Sequence, residues 1–369
     1  MDKKVLVAVS GGVDSSTAMM LLKDQGYEVI AAHMKMWDYA EVGGESRRDG
    51  RCCSLESIND LRSICTAHNI PFYVLNFVDR FREIVIDNFV SEYRAGRTPN
   101  PCIVCNTHLK WEGLLNKALQ LGCDFIATGH YARIVKDDKY SRYIIKKGLD
   151  DSRDQSYALW GLTQEALSRT LFPLGEYRKK DVREMAAKYD LKTAKTPESQ
   201  DICFVADNNY HRFLKEWEQK EGGGGKGFRP GKIVKENGEV VGEHKGVAFY
   251  TVGQRRGMGI AHPTPLYVKK IDPESNTVVV GDNDDLFTDS MKVTKLNWVA
   301  LDNPQEPFRA EVKIRYLHTP AKAGIEPHAK DTVTVRFDKS QRAVTPGQSA
   351  VFYDDDTVLG GGLINSSKK

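Results

Sequence analysis

Short apolar runs alternate with stretches of helical apolar spacing over the first two hundred residues of the chain. The apolar runs predict strands at residues 5–9, 28–34, 72–77 and 125–128. Apolar positions at helical spacing predict helices over about residues 13–23, 55–65, 80–95, 110–122 and 178–193. Alternation of strand and helix predicts an α/β fold with a doubly wound, mainly parallel sheet, whose ligand crevice lies at the carboxyl ends of the strands.

The pattern changes near Asp207, after which strands and turns replace the strand–helix alternation. The glycines at 222–225 predict a loop and not a phosphate site, because no strand leads into them. Segment 309–316 alternates between apolar and polar positions, which predicts a strand with these inward residues: Ala310, Val312, Ile314 and Tyr316. Several such strands, separated by Pro-Gly and Asp-Asp turns, predict a small closing β-barrel.

Composition and charge narrow the class of protein. A chain of 369 residues with 40% hydrophobic and 28% charged residues is typical of a soluble globular protein of two or three domains. No apolar stretch is long enough to cross a bilayer, and the strand that begins at residue 5 leaves no room for a signal peptide, so we expect a cytoplasmic protein. The net charge of +3 is compatible with a nucleic-acid partner without requiring one.

The segment Ser10–Ser16, with the sequence SGGVDSS, follows the first predicted strand and precedes the first predicted helix. Gly11 and Gly12 let main-chain N–H groups approach an anion, the helix directs its positive end at the same place, and serine hydroxyls add donors. Asp14 is placed to orient a Mg²⁺ ion. The alternative is a tight turn in which Ser10 or Asp14 caps the helix. Because the lysine and the spacing of a Walker A loop are missing, an ordinary γ-phosphate hydrolase is disfavoured.

This motif resembles the pyrophosphate loop of adenylating enzymes such as GMP synthetase and the tRNA thiolases. The resemblance implies that ATP is cleaved between its α- and β-phosphates, that a substrate oxygen takes AMP, and that the loop holds the departing pyrophosphate. It indicates the class of reaction but not the substrate.

A second segment, Gly96–Asn106 (GRTPNPCIVCN), carries two cysteines close behind two prolines. Pro101 is typical of the first turn of a helix, and Cys102 and Cys105 would share one face of that turn, where the helix dipole favours a thiolate. Cys203 follows much later in the chain. Three thiols near a nucleotide crevice could carry a persulfide or bind a metal ion.

The remaining cysteines have simpler explanations. An odd total of seven argues against a disulfide framework. Cys65, on the apolar face of its predicted helix, and Cys123, just before a strand, are expected to be buried hydrophobic side chains. Cys52 and Cys53 lie in a polar loop and receive no assignment.

The two segments together make the chain similar to the bacterial tRNA-specific 2-thiouridylases over essentially its whole length. The matching pieces lie at residues 95–101, 127–132, 154–157, 199–204 and 250–257. The resemblance implies that ATP activates the C2 oxygen of the wobble uridine of a tRNA and that sulfur replaces it, which gives 2-thiouridine, AMP and pyrophosphate. It also implies a PP-loop ATP-binding catalytic domain, a central β-rich tRNA-binding domain and a C-terminal β-barrel, at residues 1–206, 207–285 and 286–369. Two alternatives stay open: another PP-loop tRNA-modifying ligase such as a lysidine synthetase, and a non-catalytic tRNA-binding protein.

The resemblance further assigns roles to individual positions. By motif position, Cys105 matches the nucleophile and Cys203 matches the persulfide-bearing cysteine. The positions that match nucleotide contacts are Ala8, Val9, Ser10, Gly11, Gly12, Val13, Asp14, Ser15, Met34 and Gly129. The positions that match the segment holding the target base are Asn100, Pro101 and Cys102, and those that match other tRNA contacts are His130, Arg153, Asp154, Gln155, Arg315, Tyr316 and Gln348. From the residues alone, Tyr131 either stacks on a base or covers the sheet.

Cys102 departs from the family pattern, because many members have an acidic residue there with a role in catalysis. Two mechanisms therefore stay open. In a persulfide relay, Cys203 receives sulfur from a carrier protein of a cysteine desulfurase system, and Cys105 completes the displacement through a disulfide with Cys203. In the other mechanism, Cys102, Cys105 and Cys203 ligate three irons of a [4Fe-4S] cluster whose fourth iron binds the incoming sulfide. A zinc ion with His108 or His130 as its fourth ligand is a lesser option.

Overall fold

The computed structural model describes residues 3–38, 55–192, 202–205, 207–222, 225–328 and 331–368. The positions of Cys52 and Cys53, residues 199–201 of the Cys203 motif and the glycines at 223 and 224 lie outside these ranges. The chain divides into two compact units. The first unit comprises Met1–Val85, Cys102–Asn208 and Asp356–Val358. The second unit comprises Ile86–Pro101, Asn209–Asp355 and Leu359–Lys369.

The first unit contains a parallel sheet and an antiparallel hairpin. The strands of this unit, in chain order, are β1 Lys4–Ala8, β2 Glu28–Lys35, β3 Phe72–Asn76, β4 Phe125–Ala127, β5 Ala132–Asp137, β6 Arg142–Lys147 and β7 Thr170–Leu171. Five of them form a parallel sheet in the order β3-β2-β1-β4-β7, while β5 and β6 form an antiparallel hairpin. The central strand β1 is an apolar run because both of its faces are covered, and Val5, Leu6 and Val7 are completely buried. The predicted α/β fold with a mainly parallel sheet is confirmed.

The helices, in chain order, are α1 Val13–Asp24, α2 Leu55–Ala67, α3 Val78–Phe81, α4 Asp87–Arg94, α5 Pro101–Val104, α6 Leu115–Gln120, α7 Gln164–Ser168, α8 Lys179–Lys188 and α9 Tyr210–Lys220. Gly26, at a φ of +85°, follows α1 in the left-handed conformation, which agrees with the predicted end of that helix. Within the ranges given above, no helix is both long and apolar enough to cross a bilayer.

The helix predicted over residues 110–122 begins earlier than expected. It opens at Pro101 with α5, continues through the π-helical segment Cys105–Leu114 and ends with α6. The expectation that Pro101 opens a helical turn with Cys102 and Cys105 is confirmed, because the fixed φ of a proline suits the first turn of a helix. The start predicted near Lys110 was too late, because the turns after Pro101 continue without a break. The segment that carries Cys102 and Cys105 is therefore helical throughout.

The second unit contains two β structures. One is a four-stranded sheet with the order β10-β11-β8-β9, made from β8 Gly231–Lys235, β9 Val240–His244, β10 Tyr267–Asp272 and β11 Thr277–Gly281. The other is made from β12 Phe287–Trp298, β13 Phe308–Lys313, β14 Ala321–His328, β15 Thr332–Arg342, β16 Ser349–Asp354 and β17 Thr357–Lys368, although residues 357 and 358 of β17 belong to the first unit. Its strands neighbour one another in the order β12-β15-β14-β13-β16-β17, and β17 pairs with β12, which closes a barrel. The predicted closing β-barrel is confirmed.

Segment 309–316 forms a shorter strand than predicted. β13 ends at Lys313, and the inward residues up to Ile314 are buried as expected, but Tyr316 is 39% exposed. The alternation stops because the chain bends and turns out of the sheet over residues 314–317, where Leu317 is 88% exposed. The inward orientation predicted for Tyr316 was wrong.

An ion pair with a buried carboxylate ties α4 to α9 inside the second unit. The Arg94 guanidinium donates to the Glu218 carboxylate, with Nε at 3.1 Å from Oε2. Glu218 is 6% exposed, and its other oxygen accepts from the main-chain N–H of Gly225. Removal of one partner would leave a buried carboxylate without its counter-charge, which is more costly than the pair itself is stabilising.

We expect Arg94→Met to lower the free energy of unfolding of the second unit by about 1–3 kcal/mol, because Glu218 would lose its charged donor. The matched control is Arg212→Met, since Arg212 pairs on the same helix with Glu216, a carboxylate that is 43% exposed. The control is expected to cost less than about 0.5 kcal/mol. Denaturant unfolding of both variants measures the difference, and equal losses would contradict the burial argument.

Candidate active site

The strand order of the parallel sheet creates a crevice between β1 and β4. From β1 the chain passes through α1 to β2 on one side, and from β4 it goes on to β7 on the other side. The loops that follow the two adjacent strands, at residues 9–12 and 128–131, therefore leave in opposite directions. Such a switch point is where ligands bind in open parallel sheets. The predicted location of the crevice agrees with this geometry.

The loop after β1 is folded by its own hydroxyls and leaves the start of α1 without a side-chain cap. Gly11 has a φ of +87°, and Gly12 is the N-cap residue with no side-chain cap bond. The Ser15 hydroxyl donates to the Gly12 carbonyl at 3.1 Å and accepts from the Ser10 N–H at 3.1 Å. The alternative of a simple capped turn, with Ser10 or Asp14 as the cap, is therefore not what the structure contains. The uncapped start of a twelve-residue helix presents N–H groups and a positive dipole end to the crevice.

Asp14 lies in the first turn of α1 and is held by two residues that come later in the chain. Lys179 Nζ lies 2.8 Å from each of the two carboxylate oxygens of Asp14. The Tyr131 hydroxyl donates to Oδ1 of the same carboxylate at 2.8 Å. Tyr131 is 3% exposed, so of its two predicted roles the structure supports the one that covers the sheet. Sequence reasoning missed Lys179, because no spacing or motif links it to the loop.

Gly129 brings the loop after β4 against the first turn of α1. A Cβ built on Gly129 would lie 2.9 Å from both the carbonyl carbon of Asp14 and the nitrogen of Ser15. Such contacts are too short for any other residue without a backbone shift. Met34 lies near the end of β2, buried, next to His33, whose Nδ1 is 3.0 Å from the Val9 carbonyl. The structure thus brings the predicted nucleotide residues 8–15 and Gly129 together, and places Met34 on the neighbouring strand.

His130 is packed between aromatic rings and is not a cation at neutral pH. Its ring lies 5.7 Å from the rings of Trp111 and Phe172, and Nδ1 shares a 2.6 Å hydrogen bond with the Thr128 hydroxyl. Burial, with a smaller contribution from the charge of Lys110, holds the pKa of His130 well below its usual range. The imidazole of His130 is therefore neutral in the protein without a bound ligand.

The two thiols of the helical segment differ in exposure. Cys102 is exposed and Cys105 is half-buried, with its sulfur 3.9 Å from the sulfur of Met36. Burial raises the pKa of Cys105 to about 11, although the Lys110 ammonium opposes this and Cys102 adds to it. Although Cys102 is exposed as a residue, partial loss of hydration around its sulfur raises the pKa of its thiol, and the Lys110 ammonium opposes this. The helix dipole was expected to favour a thiolate here, but loss of hydration outweighs it for Cys105 in this state.

Cys203 is exposed, and the other two cysteines within the described ranges, Cys65 and Cys123, are buried as predicted. Over residues 3–38, 55–192 and the other described ranges, no group of three or more His, Cys, Asp or Glu side chains is placed to hold a metal ion. The ligand sets predicted for an iron–sulfur cluster or a zinc ion are therefore not assembled here. His108, one candidate zinc ligand, instead lies 2.8 Å from the Glu112 carboxylate.

Two of the residues predicted to contact tRNA at positions 153–155 have structural partners in the first unit. The Asp154 carboxylate is buried and accepts from the N–H groups of Gly148 and Ser156, at 3.2 and 3.0 Å. Gln155 Oε1 accepts from the main-chain N–H of Tyr131 at 3.0 Å. Both residues shape the turn beside the crevice, while the neighbouring Arg153 is half-buried.

The remaining predicted tRNA residues belong to the second unit. Gln348 Nε2 donates to the carbonyls of Thr98 and Pro99, at 2.9 and 3.3 Å, and so supports the loop that leads to Asn100. Asn100 is half-buried and Pro101 is buried. Arg315 and Tyr316 lie together on the exposed turn after β13.

Comparisons with known proteins cover almost the whole chain. Family models match residues 3–207 as a tRNA methyl transferase HUP domain, residues 225–282 as a tRNA methyl transferase PRC-barrel domain and residues 288–364 as an aminomethyltransferase beta-barrel domain. A protein of Clostridioides difficile named tRNA-specific 2-thiouridylase MnmA is 46% identical over 370 residues, which is 100% of this chain and 99% of that protein. A protein of the same name from Carboxydothermus hydrogenoformans is 50% identical over 363 residues, with coverage of 98% and 97%. Among solved structures, a 4-thiouridine synthetase–RNA complex with bound ATP matches at a TM-score of 0.33 and 14% identity, covering 58% of this chain and 50% of that chain.

Gly129→Ala is expected to weaken binding of a non-hydrolysable ATP analogue by about ten- to a hundredfold, because the added Cβ forces the first turn of α1 away from the loop. Calorimetric titration of the folded variant measures this. The control is Gly324→Ala in the barrel, where the nearest atom to the added Cβ is the guanidinium of Arg309 at 3.8 Å. Unchanged affinity in the Gly129 variant would contradict the role of the close approach.

The alkylation rate of Cys105 by iodoacetamide is expected to rise about tenfold per pH unit from pH 7 to pH 9.5 without levelling off. The reason is that the thiolate reacts, and its fraction grows in this way at every pH below a pKa of about 11. Mass spectrometry of the peptide that contains Cys105 follows the rate. A small model thiol is the reference, since its rate levels off near its pKa of about 8.5, and a plateau for Cys105 in the same range would disprove the raised pKa.

Proposed function

The chain belongs to the tRNA-specific 2-thiouridylase family, and from this premise we propose that it is an ATP-dependent tRNA-uridine 2-sulfurtransferase. The observation that carries the proposal is identity of 46–50% over essentially the whole chain to relatives with that name. The proposed reaction replaces the C2 oxygen of the wobble uridine by sulfur and releases AMP and pyrophosphate. The loop at the switch point supports it, because it is built to hold an anion next to an exposed edge of the sheet.

In the proposed reaction, residues 8–15 and Gly129 cradle the phosphates of ATP, and Met34 contributes to the nucleotide pocket from the end of β2. Attack by the uridine O2 on the α-phosphorus breaks the bond to the β-phosphate bridge, and the electron pair leaves with pyrophosphate. Asp14 is the one carboxylate among residues 8–15 and is the residue that would hold a Mg²⁺ ion there. When bound, such an ion would neutralise charge on the phosphates.

For the sulfur step we infer the persulfide relay. A sulfur-carrier protein of a cysteine desulfurase system would load the exposed Cys203, and the terminal persulfide sulfur would displace AMP from C2. Cys105 would then attack the Cys203 sulfur, which leaves 2-thiouridine and a Cys105–Cys203 disulfide that an external dithiol reduces. Because the pKa of Cys105 is raised in the empty protein, its thiol would have to lose its proton after the substrates bind. The relay is favoured over the [4Fe-4S] alternative because it does not need three thiols placed close enough to bind one cluster, and the described residues contain no such group.

The proposal keeps the predicted domains at residues 1–206, 207–285 and 286–369, and the three family-model ranges support them. It assigns tRNA contact to Asn100, Pro101, Cys102, His130, Arg153, Asp154, Gln155, Arg315, Tyr316 and Gln348. It also places the protein in the cytoplasm, where tRNA and ATP meet. Among these residues, Arg315 and Tyr316 have the strongest structural support for RNA contact, because their exposed turn presents a guanidinium and an aromatic ring to solvent.

Purified protein with ATP, Mg²⁺, unmodified tRNA transcript, a persulfide donor and a dithiol reductant is expected to convert one uridine to 2-thiouridine, with one AMP released per sulfur incorporated. Mass spectrometry of digested RNA detects the exchange of oxygen for sulfur. Cys105→Ser is expected to abolish thiolation, whereas Cys123→Ala, a buried cysteine outside the site, serves as control. RNA without the mass gain would refute the proposal. Iron in the anaerobically purified protein that is lost when any one of Cys102, Cys105 and Cys203 is replaced would overturn the relay in favour of the cluster.

A further inference from the structure

The phosphate loop of this chain has no cation of its own. Residues 8–15 read AVSGGVDS, so the one charged side chain in the loop is the acidic Asp14. An unpaired carboxylate at this place would repel the phosphates of ATP. A loop that binds pyrophosphate therefore needs a positive charge from elsewhere in the fold.

Lys179 supplies a cation at this place. It is the first residue of α8, is 8% exposed, and its ammonium lies 2.8 Å from both oxygens of Asp14. Its main-chain N–H donates to the Asp150 carboxylate at 2.9 Å, which anchors the start of α8. The ring of Tyr131 lies 5.8 Å from the ammonium. Burial of an ammonium group costs free energy unless the group is paired. The pairing with Asp14 offsets this cost and keeps a positive charge next to the loop.

The contacts of Asp14 allow the ammonium to exchange partners. The Tyr131 hydroxyl donates to Asp14 independently of Lys179, so the carboxylate keeps a hydrogen bond when the ammonium moves. The backbone of Asp14 is fixed by the close approach of Gly129, which leaves the four-carbon stem of Lys179 as the part able to move. The ammonium would have to move only a short distance from Asp14 to a bound anion, because Asp14 lies in the first turn of the helix that points at the anion site.

We propose that Lys179 is the phosphate-binding cation of the loop: it pairs with Asp14 in the empty site and with the β- and γ-phosphates, then with departing pyrophosphate, when ATP is bound. The ammonium stabilises the negative charge that develops on the departing pyrophosphate. The inference rests on the proposed function only in taking pyrophosphate as the leaving group. It makes Lys179 a substrate-binding residue that no local motif contains.

The test is calorimetric titration of the full-length protein with pyrophosphate and Mg²⁺, without tRNA. Lys179→Met is expected to weaken pyrophosphate binding by about ten- to a hundredfold, the effect of losing one charge-assisted bond. Lys180→Met is the matched control, because the neighbouring side chain is 86% exposed, and it is expected to bind within about twofold of the parent. Lys179→Gln keeps a donor for Asp14 without the charge, so it is expected to fold and still to bind weakly. Parent affinity in either Lys179 variant would overturn the proposal.

A double-mutant cycle separates phosphate binding from mere neutralisation of Asp14. If Lys179 acts only on Asp14, then Lys179→Met has no effect on pyrophosphate affinity when Asp14→Asn is already present. Under the proposal the loss persists in the Asp14→Asn background, because the phosphates themselves lose a partner. If the protein fails to thiolate tRNA but its pyrophosphate affinity still depends on Lys179, the proposed function is refuted and the role of Lys179 is retained.

Discussion

Burial of strand β1 between β2 and β4 is the constraint on which the first unit depends. Val5, Leu6 and Val7 are completely covered, so the register of this strand against its parallel neighbours is strongly specified. Parallel strands end at one edge, and the loops after β1 and β4 therefore meet there. Their approach is close enough that Gly129 contacts the main chain of Asp14, and the geometry of the anion site follows from this contact.

The charges at this edge are balanced before any substrate arrives. Helix α1 presents a positive end, Asp14 adds a negative charge, and Lys179 and Tyr131 satisfy that carboxylate from distant parts of the chain. The thiol segment shows the opposite state, because burial keeps the Cys105 thiol protonated. The side chains at this edge of the sheet are thus held by contacts within the empty protein, while the proposed role of Cys105 as nucleophile requires a change in its surroundings.

The second unit uses its polar side chains mainly to hold loops and helices in place. Gln348 binds the carbonyls of the loop before Asn100, and Glu218 fixes Arg94 between α4 and α9. Such bonds act inside the unit whether or not a nucleic acid is present. Gln348 therefore has a structural role in addition to the tRNA contact that its position in the family pattern implies.

The sequence by itself determined the parallel sheet, the glycine and serine loop after β1, the closing barrel and the burial of Cys65 and Cys123, because each depends on local periodicity or on residues adjacent in the chain. Only the tertiary structure decided that Lys179 pairs with Asp14, that the pKa of Cys105 is raised and that Tyr316 faces solvent. Lys179 and Asp14 are far apart in the chain and meet only because α8 packs beside α1. Side-chain charge and hydration depend on such long-range neighbours, and no short stretch of sequence contains them.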